Sequence, residues 1–367
     1  MSIQLGCSKY LNNNGVSCYR NSILAILQNL PFFTDHIINI NYIKKFIDNK
    51  SEDEITNTAT YQLFKLFFIS LSNDNTDLNP SSLTLLMTKK NSMWGQIEQQ
   101  DSLEYLVDLL DKIREEQGKE IVFIPNIVDT NIVDTITINN PETELQKLIF
   151  MSQYEKYNSK ECKSIINLYS PLNQMFDIYN IEKKCCPGCN NNISKLDVST
   201  VIKLDFDNLD KNPNIYQLLD NYEAEKELDN DNKANCSNCY QKVQLKISNK
   251  LWKLPKILII QFKRFKFNMK TLSDIKIQDK VDYPIHLDME KYIDDLSPFK
   301  QYHKYNLVGI NLHFGYTRHS GHYVSFVKNK LDDKWYLFND SNQVQEVRYM
   351  EQLVNNNASA LFYVREN

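Results

Sequence analysis

The chain of 367 residues contains no apolar run long enough to cross a membrane. Ile257–Ile260 is closed by Gln261, and the stretch Leu63–Leu71 is interrupted by Lys65, whereas a span needs roughly 18 apolar residues. Glycine is scarce, with 8 residues, which excludes a collagen-like repeat. Net charge is small, at −4, so no overall field draws the chain onto nucleic acid or anionic lipid. Neither is expected as a partner. The first residues, Met1–Tyr10, lack a basic stretch followed by an apolar core, the mark of a secretory leader. Reduced thiols inside a cell are therefore expected. The 8 cysteines then read as metal ligands or nucleophiles rather than bridges. The remaining composition, 42% hydrophobic and 24% charged, excludes a wholly disordered chain.

The hydrophobic pattern changes period along the chain. Ser17–Leu30 reads as a helix, because Ile23, Leu27 and Leu30 share one face and Pro31 ends the pattern. A mostly helical region continues to about Gly118. Its clearest element starts at Asp101, which with Glu104 makes a start like a capping box, ahead of an apolar face of Leu103, Leu106, Val107 and Leu110. Lys119–Asn180 reads as an insertion of unknown shape. It carries a short duplication, Asn126–Thr130 followed by Asn131–Thr135, too short and too few copies for a solenoid. From Ile181 alternation takes over, with strands expected at Val201–Phe206, Lys256–Phe262, Tyr305–Leu312, His322–Val327, Trp335–Phe338 and Ala360–Val364. Helices first and strands afterwards make an α+β fold.

Five segments carry residues with chemistry. In Asn13–Ser22, Cys18 opens a helix, where the positive end of the backbone dipole favours the thiolate. Gly15 lets backbone approach closely, and the amide of Asn13 is a neutral donor able to stabilise an oxyanion. Alone, the segment is equally compatible with an inert buried thiol. In His313–Phe326, three of the 6 histidines fall close together. Metal binding is one reading. His322, following Gly321 at the start of a strand, also suits a general base facing a cleft, while His319 reads as a solvated loop residue. In Trp335–Asn342 a strand enters a turn where the side chain of Asn339 or Asp340 can orient an imidazole; ordinary turn chemistry explains the same residues. Two Cys-x-x-Cys knuckles, Cys186 with Cys189 and Cys236 with Cys239, form a tetrahedral zinc pattern of structural type. Cys185 is a competing register, but only Cys186 leaves two residues before Cys189. A redox pair is disfavoured because the two knuckles match each other. Finally, Phe262–Phe267 interleaves basic and aromatic residues. It reads better as a strand with one apolar and one solvated face than as a nucleic-acid stacking platform.

Together these segments resemble the ubiquitin-specific protease family of papain-like cysteine proteases. The Cys box is Asn13–Ser22, and Gln99–Leu106 is similar to the family's second box. Glu227–Cys239 with Leu254–Phe265 is similar to its finger-to-palm junction. Gly321–Tyr323 with Asn339 and Asp340 is similar to its His box, and Ala360–Val364 to its closing strand. Residues Lys119 to about Leu172 lie outside the resemblance. It implies a hand-like catalytic domain over 1–367, with a helical thumb (1–118), an insertion and connection (119–180), zinc-bearing fingers (181–250) and a β palm (251–367). It also implies hydrolysis of the isopeptide or peptide bond after the C-terminal glycine of ubiquitin. In this scheme Cys18 is the nucleophile, His322 the base, Asn339 the third member with Asp340 beside it, and Asn13 part of the oxyanion pocket. Asp101 would contact the basic incoming tail. Zn2+ held by Cys186, Cys189, Cys236 and Cys239 would support folding. Ubiquitin and ubiquitinated proteins are the implied partners, a monomer is expected, and the workplace would be the cytoplasm or nucleus of a eukaryotic cell, its own or a host's. Two residues depart from the family pattern: Arg20 where an apolar residue is usual, and Ser17 where threonine is usual. A ubiquitin-binding scaffold with a misaligned site, a protease for another ubiquitin-like modifier and a zinc-ribbon nucleic-acid module are the competing readings.

Overall fold

The computed structural model describes residues 15–71, 78–123, 165–190, 192–228, 233–236, 238–268, 272–295, 297, 299–317, 320–340, 342 and 344–366. Its first element is the helix Cys18–Leu27, whose ten residues are all buried. The expected helix ran to Leu30. The helix ends at Leu27, with a last α-helical bond from Gln28 N–H to the Leu24 carbonyl (3.0 Å), and the backbone continues as turns in which Asn29 N–H donates to the Ile26 carbonyl (2.9 Å). Leu30 stays buried, which is why its spacing looked helical. Among the described residues six more α-helices follow before Gly118. The last, Ser102–Gln117, is capped by Asp101, whose Oδ1 accepts from the backbone N–H groups of Leu103 (2.7 Å) and Glu104 (3.0 Å).

Beyond the helices, the strands Lys119–Phe123 and Ile165–Tyr169 pair antiparallel; the five-residue duplication between them lies outside the described residues. Among the described residues the main sheet has eight strands. In spatial order its path runs Gln345–Glu346, Trp335–Phe338, Ser320–Lys328, Lys304–Thr317, Ala358–Arg365, Ile257–Phe262 and Ile202–Leu204. His286–Asp288 pairs with Lys304–Thr317 off this path. The pairings are antiparallel except that of Ile257–Phe262 with Ile202–Leu204. A separate four-stranded sheet joins Ile178–Cys185 to Asn192–Ser199 and to Lys246–Lys253, which pairs on its other edge with Lys226–Glu227.

The central strands are apolar at consecutive positions because both faces of the sheet are covered. Ile257, Ile259, Ala360, Phe362, Tyr323 and Val327 belong to one core, shared with the first helix and the helix Ser102–Gln117. Leu258, Ile260, Phe262, Leu361, Tyr363, Val324 and Phe326 turn to the other, shared with the helix Ile215–Glu223. Burial on all sides fixes where the first helix sits, since every rotation or slide exposes apolar area or opens a void.

Arg264 corrects one expectation. The segment Phe262–Phe267 is expected to be a strand with one apolar and one solvated face, yet of its three basic residues only Lys263 and Lys266 are exposed, while Arg264 is 2% exposed. The strand breaks at Lys263 and resumes at Phe265. The Arg264 guanidinium donates to the carbonyls of Ala358, Ile277 (3.1 Å) and Asp279 (2.8 Å) and lies over the rings of Phe206 and Phe262. It therefore ties three chain segments together by their backbone oxygens.

Asn311 does the same for the two layers. Fully buried, it donates from Nδ2 to Ser22 Oγ of the first helix (2.9 Å). Its Oδ1 accepts from Ser102 Oγ (2.9 Å) and Ser359 Oγ (2.8 Å). One amide thus joins the first helix, the start of the long helix and two neighbouring strands. Asn311→Ala removes one partner from each of the three hydroxyls, although Ser22 keeps its bond to the Tyr19 carbonyl (3.0 Å) and Ser359 its bond to the carbonyl of residue 311 (3.3 Å); each hydrogen bond lost costs about 0.5–1.5 kcal/mol. Urea denaturation of the variant should show a loss of roughly 2–4 kcal/mol; an unchanged midpoint would mean that the hub carries no stability.

Candidate functional site

The site lies where the first helix abuts the strand Ser320–Lys328. Cys18 is the first residue of that helix and is 2% exposed. The loop before it turns at Gly15, whose φ of +96° lies in the region that favours glycine. Across the boundary, His322 hydrogen-bonds to the Cys18 side chain. Its Nε2 meets Asn339 Oδ1 at 2.7 Å and Asp340 Oδ2 at 3.8 Å. With Nε2 committed to Asn339, Nδ1 is the ring nitrogen left for the thiol. Asn339 follows the strand Trp335–Phe338, and Asp340 adopts a φ of +47°, which turns the chain so that both side chains face the imidazole.

The electrostatics follow from this placement. Contact with the Cys18 sulfur, then the Asn339 bond, pushes the His322 imidazole up to about 9, with burial opposing and the Asp340 carboxylate assisting. His313 shows the opposite behaviour within the same hairpin. It is 1% exposed, packs against Tyr323 with ring centroids 4.6 Å apart, and burial lowers it to about 4. It stays neutral at physiological pH. Gly321 must be glycine because a Cβ there would lie 2.4 Å from His313 Nε2 and 2.6 Å from the Phe314 carbonyl oxygen. That close approach seats the strand immediately before His322.

The site residues expected from the sequence are thus partly assembled. Cys18, His322, Asn339 and Asp340 come together; Asn13 and His319 lie outside the described residues. Asp101 caps its helix and also lines a cleft with Lys276, His313 and Tyr323. Three participants had no assigned role. Gln99 Nε2 donates to the carbonyl of Gly321. Asn21 Nδ2 donates to Asp340 Oδ1 (2.8 Å). Arg20, 3% exposed, points both Nε and Nη2 at Asn21 Oδ1 (3.2 and 3.0 Å). Asn21 and Arg20 lie one helical turn or less from Cys18, a proximity that marks them as neighbours without revealing their partners.

The two Cys-x-x-Cys knuckles form a second centre. Their four Sγ atoms lie within 4.8 Å of one another. Cys186 and Cys239 are 3.8 Å apart, and Cys189 and Cys236 3.7 Å. A tetrahedron with metal–sulfur bonds of roughly 2.3 Å has edges of about 3.8 Å, so the thiols fit a metal of zinc's size and preference. The knuckles are equivalent in backbone. Asn190 N–H bonds to the Cys186 carbonyl (2.8 Å) with φ +55°, and Tyr240 N–H to the Cys236 carbonyl (2.9 Å) with φ +60°. Cys185 ends a strand, paired with Asn192 and Lys246, and is not among the four.

A helix-borne thiol facing a strand-borne imidazole, itself oriented by a side-chain amide, is the arrangement of the papain-like class. The chain belongs more narrowly to the ubiquitin carboxyl-terminal hydrolase family, whose model matches residues 10–363. Human ubiquitin carboxyl-terminal hydrolase 34 is 25% identical over 354 residues, covering 90% of this chain and 8% of that relative's length. Ubiquitin carboxyl-terminal hydrolase 8 of Saccharomyces cerevisiae is 26% identical over 368 residues, covering 96% of this chain and 69% of that protein. In fold, the chain is similar to one in the SAGA DUB module Ubp8/Sgf11/Sus1/Sgf73 bound to monoubiquitin, with a TM-score of 0.72 at 22% identity, covering all of this chain and 71% of that one. The α+β expectation and the family resemblance both hold. No helix among the described residues is long and apolar enough to cross a membrane.

Proposed function

We propose that the protein is a thiol-dependent deubiquitinase that hydrolyses the isopeptide or peptide bond after the C-terminal glycine of ubiquitin. The observation that carries this reading is the row Cys18–His322–Asn339, with His322 bonded to the sulfur on one side and to the amide on the other. Cys18 attacks the carbonyl carbon as thiolate. His322, protonated, gives its proton to the leaving amine and then takes one from the water that cleaves the thioester. Asn339 holds the ring in plane and Asp340 stabilises the imidazolium. The side-chain amide of Asn13 would donate to the developing oxyanion, as would backbone N–H groups at the helix N-terminus. Asp101 takes the basic tail along the cleft that it lines with His313 and Tyr323. Residues 1–118 act as thumb, 119–180 as insertion and connection, 181–250 as fingers and 251–367 as palm. The enzyme works as a monomer in the cytoplasm or nucleus of a eukaryotic cell, on ubiquitin and ubiquitinated proteins.

Cys186, Cys189, Cys236 and Cys239 would hold structural zinc. The metal would supply fold stability alone, because four thiolates leave no position for water. Loss of one ligand removes a large part of a binding energy of order 10 kcal/mol. Cys236→Ser should release zinc and lower the melting temperature; equal zinc content and an equal melt would exclude the site.

A fluorogenic ubiquitin C-terminal amide tests the catalytic reading. The parent should release fluorophore and Cys18→Ala should not, whereas a binding scaffold releases none from either. The productive pair needs His322 protonated. Its proton is retained up to about 9, so kcat/KM should fall on the alkaline side with a midpoint near that pH. A basic limb centred near the ordinary imidazole value would contradict the Cys18–His322 contact. Probes built on other ubiquitin-like modifiers separate the two protease readings.

A further inference from the structure

Arg20 is a full positive charge buried at 3% exposure, two residues past Cys18. Burying a guanidinium is expensive unless its donors are used. Here Nη1 donates to Thr84 Oγ1 on the helix Ser81–Lys90, while Nε and Nη2 converge on Asn21 Oδ1 at 3.2 and 3.0 Å. A guanidinium has donors and no acceptor. The carbonyl end of the Asn21 amide is therefore the only end that can face it. The NH2 end must then point away, and it donates to Asp340 Oδ1 at 2.8 Å. A flipped amide would set donor against donor at Arg20 and oxygen against carboxylate at Asp340. Asp340 has a side chain only 7% exposed, and its other oxygen lies 3.8 Å from His322 Nε2.

We propose that Arg20 is a positioning residue: acting through Asn21, it fixes the Asp340 carboxylate against the imidazole of His322. The proposal rests on the thiol-protease reading above. It adds to that reading a residue that departs from the family pattern, since the apolar side chain usual at this position has no donor with which to hold the amide. The electrostatics agree with the geometry, because Asp340 is among the charges that favour the protonated guanidinium and the protonated imidazole alike. A buried cation beside the aromatic pair Tyr19 and Tyr105 thus serves the reacting imidazole without touching it.

The test is a double-mutant cycle between Arg20→Met and Asp340→Asn, read in two ways. On the fluorogenic ubiquitin amide, Arg20→Met should lower kcat about tenfold and leave KM within about twofold, because misplaced catalytic groups slow chemistry without weakening distant binding. In the Asp340→Asn background the same substitution should change kcat by less than about twofold, since groups acting in one chain are non-additive. Arg20→Lys, which keeps a cationic donor toward Asn21, should recover much of the loss. Alkylation of Cys18 by iodoacetamide at neutral pH should follow the same pattern without any ubiquitin. If the parent fails on the amide, the deubiquitinase reading falls, and the alkylation cycle still decides the role of Arg20. If Arg20→Met does not fold by circular dichroism, Asn21→Ala in the two backgrounds carries the same comparison. Equal losses in both backgrounds, or no loss in either, would overturn the proposal.

Discussion

Everything at this site depends on a helix that has no solvent face. All ten residues of Cys18–Leu27 are buried, held between the long helix Ser102–Gln117 on one side and the strands Lys304–Thr317 and Ser320–Lys328 on the other. Close packing tolerates little displacement. The sulfur at the helix's first residue is therefore placed relative to the sheet by the whole core rather than by local contacts. Asn311 adds direction to this non-directional packing, because its amide reaches both helices and the strand edge through three serines. A core of aliphatic residues alone can slide; one that must also satisfy a buried amide has a single register.

The same frame sets the proton positions. His313 and His322 stand in one hairpin, joined through the close approach at Gly321. Burial holds His313 neutral, down to about 4, while the Cys18 sulfur holds His322 protonated, up to about 9. Two identical side chains thus carry opposite charge states at neutral pH, set by a neighbour and by dryness. Only the second has a thiol beside it. The first is packed against Tyr323 and Phe265 as part of the cleft wall.

Much of this was legible in the sequence. The strands Ile257–Phe262, Trp335–Phe338 and Ala358–Arg365 announce themselves as apolar runs because both sheet faces are covered. The knuckles are legible because the two-residue gap is a local consequence of tetrahedral ligation, and the structure selects Cys186 over Cys185 as that spacing requires. Asp101 was legible as a helix cap because capping is also local. The unread residues are those whose partners lie far along the chain. Arg264 looked solvated because its acceptors, the carbonyls of Ile277, Asp279 and Ala358, are backbone atoms with no sequence signature. Asn311 and Arg20 have the same character: a polar side chain in an apolar element is ambiguous until its distant partner is known. Leu30 misled in the other direction, since a buried turn can continue the spacing of a helix that has already ended.

Cys18 is the thiol proposed to attack the carbonyl at the ubiquitin C-terminus. The most direct measurement is reaction with ubiquitin bearing an electrophilic C-terminus, followed by peptide mapping of the product. The account predicts a single covalent adduct on the peptide containing Cys18, absent from Cys18→Ala. An adduct on Cys185 or a knuckle cysteine, or no adduct from the folded protein, would contradict it.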